Sequence, residues 1–255
     1  TAWYKAENLT FSAGNVTGFT NMAPDFSGNG NLTRSGAGSS QSTIATLINF
    51  NSGVRFDGDE VFSTTSAQKG LSYRGATKTM FWVGNYKTNT AQVNTWLFLH
   101  RDNNTNGTIG LFKVNSTTSA MGTNNFVKSI ASAYTANEPK LLTGSVGQDL
   151  GGTAPSGTNP IVSNANGSTN TPSQITSNVT ADTNYGLRLA TGSLGNQASG
   201  LDMSEAIYFP FKLSETEEKQ VNTYLGIKYG ITLQHDYLNT LGQPIFGLTT
   251  NAGYT

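Results

Sequence analysis

LDMSEAIYFPFKLSETEEKQVNTYLGIKYGITL, residues 201–233, contains the one convincing helix of the 255-residue chain, placed directly behind one of its most apolar strands. Met203 to Phe211 has the Ile, Tyr and Phe content of a strand, interrupted by Pro210. Ser214 suits an N-cap, because its hydroxyl can accept a backbone N–H of the first turn. Glu217, three residues on, completes a capping box. Glu215, Glu217 and Glu218 crowd the first turn, where unpaired N–H groups present positive charge. Val221, Tyr224, Leu225 and Lys228 recur at spacings of three and four, a mostly apolar stripe closed by a basic residue. Gly230 stands where a left-handed residue would stop the helix. A helix over about 214–229 is therefore expected. About four turns are marginal in isolation, so the stripe must dock on something larger.

Working outward, the rest of the chain reads as strands and turns. Ala2-Trp3-Tyr4-Lys5 opens as an aromatic strand, and Phe11 to Phe19, with Gly14-Asn15 inside it, as strand–turn–strand. Ile44 to Phe50, Gly53 to Phe56, Ile109 to Val114, Phe126 to Tyr134, Lys140 to Val146 and Tyr185 to Ala190 are further strand candidates. Thr79 to Val83 and Thr95 to His100 look like neighbouring central strands, apolar on both faces as between packed layers. Residues 147–180, dominated by Gly, Thr, Asn, Ser and Pro, form either a binding-site wall, a surface insertion or a stretch hiding a short hairpin. The expected architecture is all-β: a two-sheet antiparallel sandwich with one C-terminal amphipathic helix covering an edge or end. Residues 1–234 would make the sandwich and its helix, with 235–255 an extension or the start of a next module.

Composition narrows the function. Charged residues are only 12% of the chain, against about 25% in an average globular protein. Asn, Thr, Ser and Gly fill the gap, which suits secreted or surface β proteins. Net charge is zero and Lys and Arg do not cluster, which argues against nucleic acid or an anionic membrane as partner. No run of about 18 apolar residues is present for insertion into a membrane. Cysteine is absent, so bacterial surface export is favoured over a disulfide-dependent eukaryotic route. The chain opens at Thr1 without a signal peptide, as a mature or excised segment would.

Acidic turns are the notable polar features. Asp25-Phe26-Ser27-Gly28-Asn29-Gly30-Asn31 is the sharpest turn signal, either a rigid Asx-type loop or a source of oxygen ligands. Asp57-Gly58-Asp59-Glu60 places Asp57 and Asp59 on one face if extended, for a cation or a sugar hydroxyl, and is otherwise an exposed acidic turn. His100 reads as a strand-end histidine with a satisfied hydrogen bond. His235 lies far from it in sequence, which gives a histidine metal site little support.

The order Trp3-Tyr4-Lys5-Ala6, Asp25-x-Ser27-Gly28-Asn29-Gly30-Asn31 and Val54-Arg55-Phe56-Asp57-Gly58 resembles the concanavalin A-like (laminin-G-like) jelly-roll domains of bacterial surface proteins. Glu205-Ala206-Ile207-Tyr208, then Leu213-Ser214 and Tyr224-Leu225-Gly226-Ile227-Lys228-Tyr229-Gly230-Ile231-Thr232-Leu233, is similar to a version in very large Bacteroidetes adhesins exported by their type 9 system. There a Tyr-Leu-x-x-x-Gly stretch follows, matched by Tyr237 to Gly242. Members often carry Trp shortly before the Asp-x-Ser-Gly turn, where this chain has Asn21-Met22-Ala23.

The resemblance implies a secreted, cell-surface location and neighbouring modules in one long chain. Ca²⁺ is an optional cofactor of such domains; Asp25, Asp57, Asp59 and Asp202, each at a loop or strand end, are its candidate ligands here. Three functions compete: a non-catalytic adhesion module contacting glycans or surface polymers through loops, a structural spacer in a surface filament, and a glycoside hydrolase. Hydrolysis needs two carboxylates flanking a glycosidic bond, and the family's Glu-x-Asp-x-Glu run is missing. No catalytic residue is assigned. A cysteine nucleophile is impossible, and no nucleophile-elbow or Walker-type glycine loop accompanies the two histidines.

Overall fold

The computed structural model describes residues 1–12, 15–23, 30–35, 43–57, 61–64, 78–86, 95–100, 109–113, 119–123, 127–130, 137–146, 159–168, 173–175, 186–192 and 199–248. In chain order the strands begin with β1 (Ala2–Lys5), β2 (Leu9–Ser12), β3 (Asn15–Phe19), β4 (Leu32–Ser35), β5 (Thr43–Ile48), β6 (Asn51–Asp57) and β7 (Val61–Thr64). They continue with β8 (Lys78–Tyr86), β9 (Thr95–His100), β10 (Ile109–Lys113), β11 (Ser119–Thr123), β12 (Val127–Ile130) and β13 (Lys140–Val146). Then come β14 (Asn159–Ala165), β15 (Ser173–Ile175), β16 (Leu187–Gly192), β17 (Ser199–Phe209), helix α1 (Glu215–Tyr229), β18 (Tyr237–Leu238) and β19 (Pro244–Phe246).

Two antiparallel sheets face each other. The first runs β15-β14-β13-β8-β17-β6-β5, and the second β12-β11-β10-β9-β16-β7-β4-β3-β2. Strand β17 is long enough to serve two neighbours on one side: β6 pairs with Ser199–Met203, and β1 with Glu205–Tyr208. Between the sheets lie Phe56, Met80, Trp82 and Tyr208 from the first, and Phe19, Phe62, Phe98 and Leu111 from the second. Edge-to-face contacts tie them, such as Phe19–Phe62 at 5.0 Å and Phe56–Phe62 at 5.7 Å.

The expected sandwich with one helix is therefore the observed architecture, but some neighbours differ. Strands β8 and β9, expected side by side, lie in opposite sheets: β8 bonds to β13 and β17, β9 to β10 and β16. Their two-sided apolar pattern has a different origin in β8, whose outer face is covered by α1 rather than by a second sheet. The strand expected to reach Phe50 ends at Ile48. Asn49 and Phe50 take φ of 45° and 63°, a tight two-residue hairpin turn, and the amides of Asn49 and Asn51 donate to the Lys228 carbonyl at 3.0 Å. Residues 147–180 contain β14 and β15, whose polar sequences NPIVSNA and SQI carry no alternation signal.

A register shift between Met203 and Glu205 sets the chemistry of β17. Leu201 and Met203 face the core before it, Ala206 and Tyr208 after it. Glu205, Ile207 and Phe209 are thereby turned outward, toward α1. The helix itself follows its capping signals. Ser214 accepts from Glu217 N at 3.3 Å, and Glu217 Oε2 accepts from Ser214 N at 2.8 Å. Gly230 adopts φ 63°, and Ile231 N donates to Gly226 O at 2.9 Å, closing the C-terminus.

The docked face keeps Val221 and Leu225 of the expected stripe, packed on the outer-face cluster, and widens to polar and small residues beside it. Asn222, Leu225, Gly226 and Tyr229 are buried, while Tyr224 is 38% exposed. The chain turns back after Gly230 so that Leu233 lies over Gly226, where a Cβ would stand 2.9 Å from Leu233 Cγ. Residues beyond 234 are fastened to the same surface. Gln234 N donates to Asn166 O at 2.8 Å, Leu238 N to Thr223 Oγ1 at 2.9 Å, and Gln220 Nε2 to Asn239 O at 2.9 Å. Among the described residues no helix is long and apolar enough to cross a membrane.

Candidate functional site

A cleft of about 370 Å³ opens beside the N-terminal half of α1. Its floor is the outer face of β13 and β14, through Ser145, Val162 and Asn164. The helix and its approach give one wall, with Lys212, Leu213, Glu215, Glu218, Lys219 and Asn222. The opposite wall is the Gly167–Ser168 turn and His235 from the C-terminal segment. Gly167 has φ 76°, and a side chain there would collide with the His235 ring, so glycine is what lets the two segments meet.

Polar groups in this cleft are held in chosen orientations. Thr143 Oγ1 donates to Asn222 Oδ1 at 2.7 Å, which turns the Asn222 amide nitrogen toward His235 Nε2 at 3.4 Å. His235 Nδ1 lies 2.8 Å from the Asp236 carbonyl, which can only accept, so Nδ1 carries the proton and Nε2 is an acceptor. Burial holds His235 below its ordinary pKa, with Lys219 adding to the shift, so the ring is neutral. Glu218 moves the other way: burial raises its pKa, opposed by a hydrogen bond from Ser145 and by the Lys212 charge. Lys219 and Glu215 neutralise each other at 2.6 Å.

The far end of α1 is built from the same residue types with a different result. Buried Glu205 accepts from Trp3 Nε1 at 2.5 Å, Tyr229 OH at 2.7 Å and Lys228 Nζ at 2.9 Å. Trp3 packs edge-on against Tyr224, with Lys5 Nζ 4.1 Å above its ring. Burial and the Glu205 charge both hold the Tyr229 hydroxyl above its ordinary pKa. Trp3, Glu205, Tyr224, Lys228 and Tyr229, all within the motifs of the family resemblance, thus form one clamp between strand and helix.

Of the four acidic candidates only the Asp202 side chain lies within the described residues. Asp25 and Asp59 lie outside the described residues, and Asp57 ends β6, its side chain outside them too. Asp202 is fully buried on β17 and accepts from Arg55 Nε at 2.9 Å and Nη2 at 3.2 Å, a two-pronged ion pair between cross-strand partners. Among the described residues no group of three His, Cys, Asp or Glu is placed to hold a metal ion.

His100, at the end of β9, is buried and stacked on Tyr208 with centroids 6.1 Å apart. Its Nε2 has no hydrogen-bond partner, contrary to the satisfied bond expected, because the ring is spent on packing between the sheets. Burial, and then the Lys78 charge, hold its pKa well below the ordinary value. Lys78, buried nearby, is itself pushed down to about 8 by burial. Of the cleft residues, sequence reading noticed Glu215, Glu218 and His235, the first two only as helix-dipole partners. Asn222, a buried amide on a docking face, was the overlooked signal.

A family described as a domain of unknown function, DUF8202, matches residues 217–255, which are α1 and the segment after it. No curated protein matches the sequence. Domain 4 of AbnA, a GH43 extracellular arabinanase from Geobacillus stearothermophilus solved in complex with arabinotriose, superposes with a TM-score of 0.56 at 13% identity. That match covers 84% of this chain and 93% of that one. The chain has a concanavalin A-like jelly-roll fold. The same concanavalin A-like sandwich lies within two longer proteins. Trypanosoma rangeli sialidase, in complex with sialic acid, matches with a TM-score of 0.55 at 7% identity, over 89% of this chain and 33% of that one. The binding domain of botulinum neurotoxin serotype G matches with a TM-score of 0.54 at 12% identity, over 88% of this chain and 51% of that one. The chain thus spans about a third and about half of their lengths.

Proposed function

We propose that this concanavalin A-like domain is a non-catalytic binding module of a secreted bacterial surface adhesin, holding glycans or surface polymers. The observation that carries the reading is the open cleft beside α1, whose walls are fixed by the internal hydrogen bonds of Asn222 and His235 before any ligand arrives. Preorganised donors and acceptors in a concave surface site lower the ordering cost of binding. The architecture is compatible with it: domains of this fold include one solved with arabinotriose bound and one from a neurotoxin described as a binding domain. The Glu218 environment also favours binding over hydrolysis. Its partners are a hydroxyl and an ammonium group, while the cleft's other carboxylate, Glu215, is tied to Lys219 and 82% exposed at its side chain. A hydrolytic pair needs an acid and an available nucleophile or base across the scissile bond.

The test is a glycan array probed with the purified chain, in Ca²⁺ and in EGTA because the sequence around Asp25, Asp57 and Asp59 is rich in oxygen-bearing side chains. Binding to defined glycans supports the adhesion reading. Silence across the array in both buffers overturns it and leaves the spacer reading. Release of reducing ends from a polysaccharide would establish the hydrolase.

A further inference from the structure

We propose that the cleft between α1, β13–β14 and the C-terminal segment is a subsite for one uncharged sugar unit of a glycan chain; this rests on the binding-module reading above. Its size comes first. At about 370 Å³ it sits at the small end of ligand pockets, which run from about 300 to 1,000 Å³, so it admits a short piece of a polymer and not a long stretch.

Charge comes next. Two carboxylates, Glu215 and Glu218, are balanced by two ammonium groups, Lys212 and Lys219. Lys219 is already paired with Glu215, and Lys212 acts on Glu218. An anionic sugar would have to displace a carboxylate from its own cation, and a cationic one an ammonium. Either exchange leaves a charge without its partner in a half-enclosed site, a costly outcome. A ligand bearing hydroxyls alone requires no such exchange.

Hydrogen bonding then favours a polyol. Glu218 accepts from Ser145 and keeps further acceptor capacity. The Asn164 amide nitrogen is used on the Ser163 and Ser168 carbonyls, which leaves its oxygen to accept from the floor. Ser168 Oγ, which accepts from Ala165 N at 3.3 Å, keeps its O–H to donate. Vicinal hydroxyls, each both donor and acceptor, match that mixture. Val162 and Leu213 supply the apolar patch for the C–H face of a sugar ring. Among the described residues no Phe, Tyr or Trp lines the cleft, so affinity for a single unit is expected to be weak. Asn222 and His235 act as positioning residues: their hydrogen bonds are used on Thr143 and Asp236, and they hold the wall in place.

The experiment is an NMR titration of the ¹⁵N-labelled chain with D-glucose, D-galactose, L-arabinose and N-acetylglucosamine, against glucuronate and N-acetylneuraminate. At least one neutral sugar is expected to shift the amides of Ser168, Glu218 and their neighbours, and the acidic sugars are not. Glu218→Gln and Asn164→Ala, each checked for an intact fold by thermal melting, should weaken the neutral sugar at least tenfold. Asn164→Ala keeps the test decisive if the first variant is compromised. Shifts that map away from the cleft, an acidic sugar preferred there, or affinities within twofold of the parent in both variants would each overturn the subsite. In those cases a positive glycan array still leaves the module reading standing. An array that is silent, with no shifts from any sugar, removes both.

Discussion

The two ends of helix α1 use similar side chains to opposite effect. At the C-terminal end, Glu205 receives three donors from Trp3, Lys228 and Tyr229, and hydrogen-bonding capacity is consumed inside the protein. At the N-terminal end, Glu218 is half-buried beside a cleft, with its pKa raised and a surface open to solvent. A carboxylate enclosed by its own donors is architecture, because nothing remains to recognise a ligand. A carboxylate kept partly desolvated at an open cleft, with one hydroxyl bonded to it, retains lone pairs that a ligand can reach. The motif-bearing residues of the family resemblance fall at the first end, the proposed subsite at the second.

Breaking the clamp should have the largest effect. Glu205→Ala leaves the mostly buried Lys228 ammonium with only Glu7, at 3.4 Å, and strands the Trp3 and Tyr229 donors. A loss of about 3 kcal/mol in denaturant unfolding is expected, with sugar affinity per folded molecule unchanged. A stability loss under about 1 kcal/mol would mean that the helix is held mainly by its apolar contacts. Gly226→Ala should cost about 2 kcal/mol, because the new methyl meets Leu233 Cγ at 2.9 Å and the Ile231 carbonyl at 3.1 Å.

Acid should separate the two ends. The folded pKa of His235 lies below its ordinary value of 6.5, so the folded chain binds fewer protons than the unfolded chain once pH falls below that value. Its contribution to stability is therefore complete above pH 6.5 and lost progressively below it. A proton on Nε2 would face the Asn222 amide hydrogens, with Glu215, Lys219 and Asp236 the charged groups acting on the ring. Hydrogen exchange should accelerate at Gln234 to Leu238 on acidification, with the Glu205 clamp still protected. His235→Gln should flatten that pH dependence.

The smallest effect has the most diagnostic sign. The folded pKa of Glu218 is raised, so its stabilising contribution is present at low pH and lost as pH rises through that value. Glu218→Gln mimics the protonated form, and at pH 7 it should leave stability unchanged or raise it by up to about 0.5 kcal/mol while weakening sugar binding. Glu205→Gln should instead destabilise, since the amide cannot serve Lys228 as a charged acceptor. Opposite signs for one substitution at two helix-facing glutamates would be direct evidence for the division of labour.

Much of the fold was legible because its signals are local. The Ser214–Glu217 box, the first-turn acids and Gly230 act within a few residues of themselves, and each appears where the sequence places it. Strands rich in Phe, Tyr and Trp announced two packed layers. Strand partners were not legible, and so β8 and β9 were placed together instead of across the core from each other. The hairpin at Asn49-Phe50 carries no Asn-Gly signal, since the carbonyl of Lys228, 177 residues from Asn51, supplies part of its support.

What the sequence alone determined is the set of elements with short-range causes: one capped helix, many strands, low charge, no thiol chemistry. Tertiary structure decided which glutamate is locked and which is left open, because distant segments bring Trp3, Lys228 and Tyr229 to Glu205 on β17 and only Ser145 and Lys212 to Glu218 on α1. Trp3 arrives from 202 residues away to close one, whereas at the other the Gly167 turn and His235 meet in a wall across from Glu218 and leave a cleft between. Short-range rules cannot encode that difference, since it depends on the register shift in β17 and on the path of the chain after Gly230.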